Sequence, residues 1–280
     1  MTVKVWVGLG VLLMALVVVS VSVPKASLSS AQSPEQDVET EPSEPVAEAE
    51  PVCREQSPNE FLIRQNYLPR RGMSREERAQ AQENFRRSVR FRTENYGYFE
   101  GFGQRAWNSR TPQDYGERVR VFGLPVRLNR RIIPAVRCAE AEVARSCGDV
   151  PYTPVRLSGL RDRNTYHSHE VSNHVYGIAL DIDPHLNTCC GCTARWREHP
   201  LCQRQVDSIY DRMAMPECWV RAFEKYGFYW LGHDTLRDTM HFEFLADPNR
   251  VHLTSEEVAE RNALEAAETV DPREPNQTSR

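Results

Sequence analysis

His174, Asp181 and His241 carry side chains that can hold a divalent metal, and the residues around them suggest how they could meet. The segment Ser172-Asn173-His174-Val175-Tyr176-Gly177-Ile178-Ala179-Leu180-Asp181 reads as a turn followed by a short strand. Alternate residues of a strand share a face, so Gly177, Ala179 and Asp181 lie together while Ile178, Leu180 and Ile182 enter the core. The small residues leave room above the sheet for the His174 imidazole to reach the Asp181 carboxylate. With a second imidazole, this nitrogen and oxygen set would hold zinc with one position open, the arrangement of a catalytic site. The candidate for that imidazole is His241, in Asp238-Thr239-Met240-His241-Phe242-Glu243-Phe244. Three unrelated polar residues are the competing reading, and His169, then His167, are the alternative ligands.

Asp238 and His241 would face opposite ways if both lay in one strand. Asp238 is therefore placed in the turn before a strand that begins near His241, where it can approach an attacking water without ligating the metal, as a general base must. Glu243, two residues beyond His241 on the same face, can accept the second ring proton and fix the tautomer.

Ser-x-His-x-x-Gly-x-Ala-x-Asp, followed by a Trp and then Asp-x-x-His-Phe-Glu, resembles peptidase family M15, the zinc D-Ala-D-Ala carboxypeptidases and L-alanyl-D-glutamate endopeptidases. The resemblance covers about residues 120 to 247. It implies a Zn2+ ion held by His174, Asp181 and His241, with Asp238 as the catalytic base. It also implies a functional arginine in a Ser-Gly-Tyr-Arg-like stretch, here Ser158-Gly159-Leu160-Arg161, with Leu in place of the aromatic. Arg161 would stabilise the developing oxyanion or grip a substrate carboxylate; an ordinary structural salt bridge is its other reading. The implied reaction is amide hydrolysis in a peptidoglycan stem peptide. An Asp at position 238 favours the L-Ala-D-Glu endopeptidase branch, since branches that cleave D-Ala-D-Ala generally use Glu there. The alternatives are a D-Ala-D-Ala carboxypeptidase, a catalytically inactive peptidoglycan-binding module of the same fold, and a signalling-type domain that binds zinc without turnover.

Other nearby residues have competing roles. Ser172 can bond at the site or shape the turn, Trp230 can wall the cleft or fill core, and His233 can flank the cleft or sit in an exposed loop. Asp183 can support Asp181 or belong to an Asp-Pro turn.

The elements that position these residues read as follows. Ser74 starts a helix reaching about Arg92, with Arg86, Arg87, Arg90 and Arg92 expected on a solvated face beside packed aromatics, contact with a glycan or anionic polymer being the alternative. Ile132 to Ser146 is an amphipathic helix. Val155 to Leu160 and Gly177 to Ile182 are short strands, Gln205 to Tyr226 is the longest helical candidate with a break or kink at Pro216, and Phe228 to Trp230 and His241 to Leu245 are strands. Short strands mixed with helices, without a repeated strand-helix crossover, predict an α+β domain with a small antiparallel sheet flanked by helices. The resemblance adds that this is the fold of the D-Ala-D-Ala carboxypeptidase and hedgehog-like type.

Residues 1-31 are expected to be a signal peptide or an N-terminal membrane anchor. Val5 to Val23 is nearly all apolar, and Ser29-Ser30-Ala31 suits cleavage. Residues 32-52 are an acidic, Pro-rich linker, 53-120 an accessory, partly helical segment, 121-253 the zinc peptidase domain, and 254-280 a polar tail with an Asn276-Gln277-Thr278 glycosylation match. Eight cysteines fit export to an oxidising compartment and disulfide pairing. A structural zinc in the cluster Cys189 to Cys202, with His185 or His199, is the alternative. A bacterial periplasm or cell envelope is the expected location, with attachment to the inner membrane through residues 5-23 if the anchor is retained. The net charge of -4, from 35 Lys+Arg and 39 Asp+Glu, gives no support to a nucleic-acid binder. The acids concentrate at both ends, so residues 52-253 keep a mild cationic surplus suited to a polyanionic envelope.

Overall fold

The computed structural model describes residues 51-166 and 170-269. The apolar run Val5 to Val23, the Ser29-Ser30-Ala31 stretch, almost all of the linker, His167, His169 and Asn276-Gln277-Thr278 lie outside the described residues. Among those described, no helix is long and apolar enough to cross a membrane.

A one-turn helix α1 (Arg64-Tyr67) leads into α2 (Arg75-Tyr96). Helix α2 starts at a reciprocal cap: the Ser74 hydroxyl accepts from Glu77 N at 3.1 Å, and the Glu77 carboxylate accepts from Ser74 N at 2.6 Å. On its exposed face Arg86 pairs with Glu83 and Arg90 with Glu94, as a solvated face requires. Arg92 departs from that expectation. It is 1% exposed and donates to Asn173 Oδ1 at 2.7 Å.

Strands β1 (Gly116-Val121) and β2 (Leu124-Asn129) form an antiparallel hairpin. Helix α3 (Ile133-Ser146) buries Val136, Ala139 and Val143, as its spacing predicts, together with Ala135, while Ile133 is half-buried and Ala144 is exposed. The site is built on a four-stranded antiparallel sheet in the order β3-β4-β6-β5, from β3 (Leu157-Ser158), β4 (Ala179-Ile182), β5 (Phe228-Trp230) and β6 (His241-Phe244). A single turn, α4 (Asn173-Tyr176), precedes β4. Short helices α5 (Ala194-Arg197) and α6 (Pro200-Gln203) follow it, α7 (Glu217-Lys225) precedes β5, and α8 (Ser255-Thr269) ends the described chain. Phe223 of α7 stacks on Phe242 of β6 at 4.5 Å, so the sheet's core face packs on α7, and α7 packs in turn on α3.

Helix α2 runs on to Tyr96 and β6 stops at Phe244, and three boundaries differ from the sequence reading in ways that shape the site. Gly177 is not in the strand; at φ 68° it is the left-handed cap of α4, a conformation that favours glycine. The strand expected over Val155 to Leu160 is ordered as strand only at Leu157-Ser158. The long helix expected over Gln205 to Tyr226 is a 3-10 turn at Ile209-Arg212 and then α7. Pro216 lacks an N-H and disfavours helical backbone before it. The preceding Ala214 N and Met215 N both donate to Asn187 Oδ1 instead.

Candidate metal centre

Each of the three donors arrives by a different local device. His174 sits in α4, Asp181 in the middle of β4, and His241 at the start of β6, directly opposite Asp181 in the antiparallel register. All three are buried.

Their outer partners set their chemistry. His174 Nδ1 lies 2.7 Å from the Gly159 carbonyl, which can only accept, so Nδ1 carries the proton and Nε2 presents a lone pair. His241 Nε2 lies 3.0 Å from Glu243 Oε1, which fixes its proton there and leaves Nδ1 as the inward donor atom. Asp181 turns Oδ2 to the Arg161 guanidinium and Oδ1 inward. The three inward atoms form a triangle: His174 Nε2 to His241 Nδ1 is 3.2 Å, His241 Nδ1 to Asp181 Oδ1 is 2.8 Å, and His174 Nε2 to Asp181 Oδ1 is 3.1 Å. Ligands at ordinary zinc distances on a tetrahedron are about 3.3 Å apart. Two imidazole nitrogens and a carboxylate oxygen converging at this spacing can share one cation, a proton on His241 or a metal ion, and as a nitrogen and oxygen set they fit zinc.

The electrostatics set His174 and His241 apart. Burial disfavours a charge on His174 and lowers its pKa. Burial alone would raise Asp181, but the charge and hydrogen bonds of His174 and His241 overcome it and hold the carboxyl well below its usual range. Burial also opposes a charge on His241, yet hydrogen bonds to Asp181 and Glu243 push it well above the usual imidazole value. A proton and a metal ion thus compete for His241. Glu243, which burial would raise, is held low by His241, by the Arg92 charge and by Asn173. Arg92 on α2 is therefore a buried cation behind the site, linked to the His241 ring through Asn173 and Glu243.

Asp238 occupies the turn before β6, between Arg237 at φ 48° and Thr239. It is 8% exposed, and its buried Oδ1 has no hydrogen-bond partner. Burial, with Asp181 and Glu243 nearby, pushes its pKa up to about 7 against the opposing pull of His241. The turn is held from behind by the cysteine loop. Thr239 N donates to Thr188 O at 3.0 Å and Gly191 N to Leu236 O at 2.6 Å, and Cys189 pairs backbone-to-backbone with Asp238. A cavity of about 540 Å3 opens over the centre, with His174, Asp181, Asp238 and His241 in its lining.

Of the other residues considered from sequence, Ser172 lies in the cavity lining and its carbonyl accepts from Val175 N, so it shapes the turn. Trp230 is fully buried and donates from Nε1 to Thr239 O at 2.9 Å, which makes it core. His233 pairs with Glu224 at 3.0 Å and is not in the cavity lining. Asp183 stands at φ 43° and accepts from Val155 N, Arg156 N and the Tyr152 hydroxyl, so it organises a turn. All eight cysteines are paired: Cys53-Cys138, Cys147-Cys218, Cys189-Cys192 and Cys190-Cys202. The cysteine cluster therefore has no thiolate to offer a structural zinc.

Sequence reasoning missed Arg92, Asn173 and the Gly159 carbonyl. Only the last left a signal: a Cβ on Gly159 would stand 2.3 Å from the Arg127 carbonyl, so glycine there permits the close approach to β2.

Residues 166-244 match a family model described as D-alanyl-D-alanine carboxypeptidase, of peptidase family M15. The matched span contains His174, Asp181, Asp238 and His241; Arg161 falls before it. No curated protein and no solved structure matches the chain. The α+β architecture, with its small antiparallel sheets, agrees with that family match.

Proposed function

We propose that the chain is a zinc metallopeptidase that hydrolyses an amide bond in peptidoglycan stem peptides, with the L-Ala-D-Glu bond as the preferred assignment. The observation that carries this reading is the triangle of inward-facing His174, Asp181 and His241 donor atoms beside the partnerless Asp238 carboxylate oxygen. Zinc bound by His174, Asp181 and His241 would supply Lewis-acid polarisation of the scissile carbonyl and acidify a water molecule.

The chain's own residues supply the rest. Asp238, raised toward neutrality by burial, takes a proton from the attacking water and returns it to the leaving amine. Glu243 and the Gly159 carbonyl fix the two imidazole tautomers. Arg161 holds Asp181 with one terminal nitrogen, and its side chain is still 35% exposed at the cavity, where it can meet negative charge developing on the substrate. The D-Ala-D-Ala carboxypeptidase reading stays in play because the matched family carries that description. Four disulfides and the apolar run at residues 5-23 support export to a bacterial envelope.

The decisive experiment is mass analysis of products from purified peptidoglycan incubated with the zinc-loaded protein. New amino-terminal D-Glu supports the endopeptidase assignment. Release of D-Ala alone replaces it with the carboxypeptidase, and no cleavage by a protein that holds stoichiometric zinc defeats the peptidase reading.

A further inference from the structure

Three guanidinium groups line the cavity, those of Arg64, Arg156 and Arg161. Arg64 faces Glu170, whose two oxygens take two of its nitrogens, and reaches Asp234 at 3.3 Å. Arg161 is engaged by Asp181. The Arg156 side chain has no acidic partner and no hydrogen bond among the described residues, and it is exposed at the cavity.

Its base is nonetheless fixed. Arg156 N donates to Asp183 Oδ1 at 2.7 Å, and its carbonyl accepts from Asp183 N at 2.9 Å. Asp183 is itself buried and takes the Tyr152 hydroxyl on its other oxygen at 2.8 Å. Arg156 immediately precedes β3, and alternation puts its side chain on the same face as Ser158. Ser158 is paired in register with Asp181, and both Arg156 and Ser158 line the cavity. A rigid backbone thus presents an unused planar fork two residues along the strand from the metal-ligand row. Such a fork recognises a carboxylate through paired, charge-assisted hydrogen bonds.

We propose that Arg156 forms a carboxylate-binding subsite at the rim of the cavity, selecting peptides that bear a free carboxylate near the cleaved amide. This rests on the peptidase reading and adds the feature of the substrate that is recognised. Of the two substrate roles expected of Arg161, the carboxylate grip passes to Arg156, while Arg161, paired with Asp181, keeps the role toward the developing oxyanion.

The test uses the synthetic pentapeptide L-Ala-γ-D-Glu-L-Lys-D-Ala-D-Ala, its D-Glu α-carboxamide and its C-terminal carboxamide. Kinetics are measured with the zinc-loaded chain and its Arg156→Ala and Arg156→Lys variants, and equilibrium binding of the same peptides in an Asp238→Asn background. Arg156→Ala is expected to raise KM and Kd for the free acid about tenfold, the scale of one charge-assisted contact, with little change in kcat. One of the two carboxamides should bind the unsubstituted Arg156 protein as weakly as the free acid binds the Ala variant, and should be indifferent to the substitution. Arg156→Lys should recover part of the loss. Unchanged KM and Kd in Arg156→Ala, or equal losses for acid and both amides, overturn the subsite even if hydrolysis is normal. Arg156-dependent binding without hydrolysis by the unsubstituted chain supports the subsite and sinks the peptidase reading. No binding and no hydrolysis of any peptide overturns both.

Discussion

His241 lies between two carboxylates, Asp181 at 2.8 Å and Glu243 at 3.0 Å, and each side of its ring has one task. His241→Ala is expected to remove one inward donor and one of the two imidazoles that hold Asp181 ionised, so metal and activity should be lost together; stoichiometric zinc at native affinity would refute the ligand set. Asp238→Asn should behave differently, because the residue lies outside the donor triangle. Zinc content and folding should persist while kcat falls roughly 10²-fold or more, the usual scale for a positioned acid-base group. The pH profile carries the same assignment. Asp238 works as a base only when deprotonated, and burial pushes its pKa up to about 7, so kcat/KM should rise with pH along an acid limb. A bound cation would favour the carboxylate and move that limb to or below 7. The limb should vanish in Asp238→Asn, and an unaltered limb there would assign it to another group. His174, Asp181 and His241 could be put forward from residue type and strand spacing, and the family resemblance weighted them over unrelated polar residues and pointed to Asp238; the structure brings the three donors together. Arg92 was not legible, because a buried arginine on a polar helix looks, in sequence, like the exposed Arg86, Arg87 and Arg90.

Elements were legible where a stop signal was explicit and obscure where tertiary contacts decided. Helix α3 and strands β5 and β6 followed their apolar spacing. The β1-β2 hairpin went unread because its turn is Phe122-Gly123, with positive φ at both residues, 48° and 78°. Phe tolerates that conformation here because its ring packs on Trp219 at 4.4 Å and its N-H donates to Glu140 at 2.6 Å. The cysteine loop, read from sequence only as a cluster for disulfides or a structural zinc, runs beside the turn at 236-239 and holds Asp238 by backbone pairing. A Cβ on Gly191 would stand 2.4 Å from the Leu236 carbonyl, so Gly191→Ala must push loop and turn apart. The expected outcome is reduced kcat with zinc retained and KM little changed. The Cys189→Ala, Cys192→Ala double variant should show the same signature more weakly, since Thr188 still holds Thr239. Loss of zinc in either variant would show that the loop supports the donors themselves and would defeat a role confined to Asp238.

At the scale of the whole molecule, two disulfides hold distant segments to α3. Cys53-Cys138 attaches the chain just after the acidic stretch, and Cys147-Cys218 joins the end of α3 to the start of α7. Both close long loops, with sequence separations of 85 and 71, so removing either by paired Ala substitution should cost about 2-4 kcal/mol of stability in denaturant unfolding. Neither touches the donor triangle, so activity at low temperature should survive. The other two crosslinks begin at neighbouring residues, Cys189 and Cys190, and end at Cys192 and Cys202. An isomer with those two partners exchanged would have the same mass and the same absence of free thiols, yet would set Cys189 differently against Asp238. Thiol titration and intact mass would pass such a preparation as native while its turnover failed. Proteolytic mapping of the crosslinks is therefore the quality criterion on which any specific activity of this protein depends.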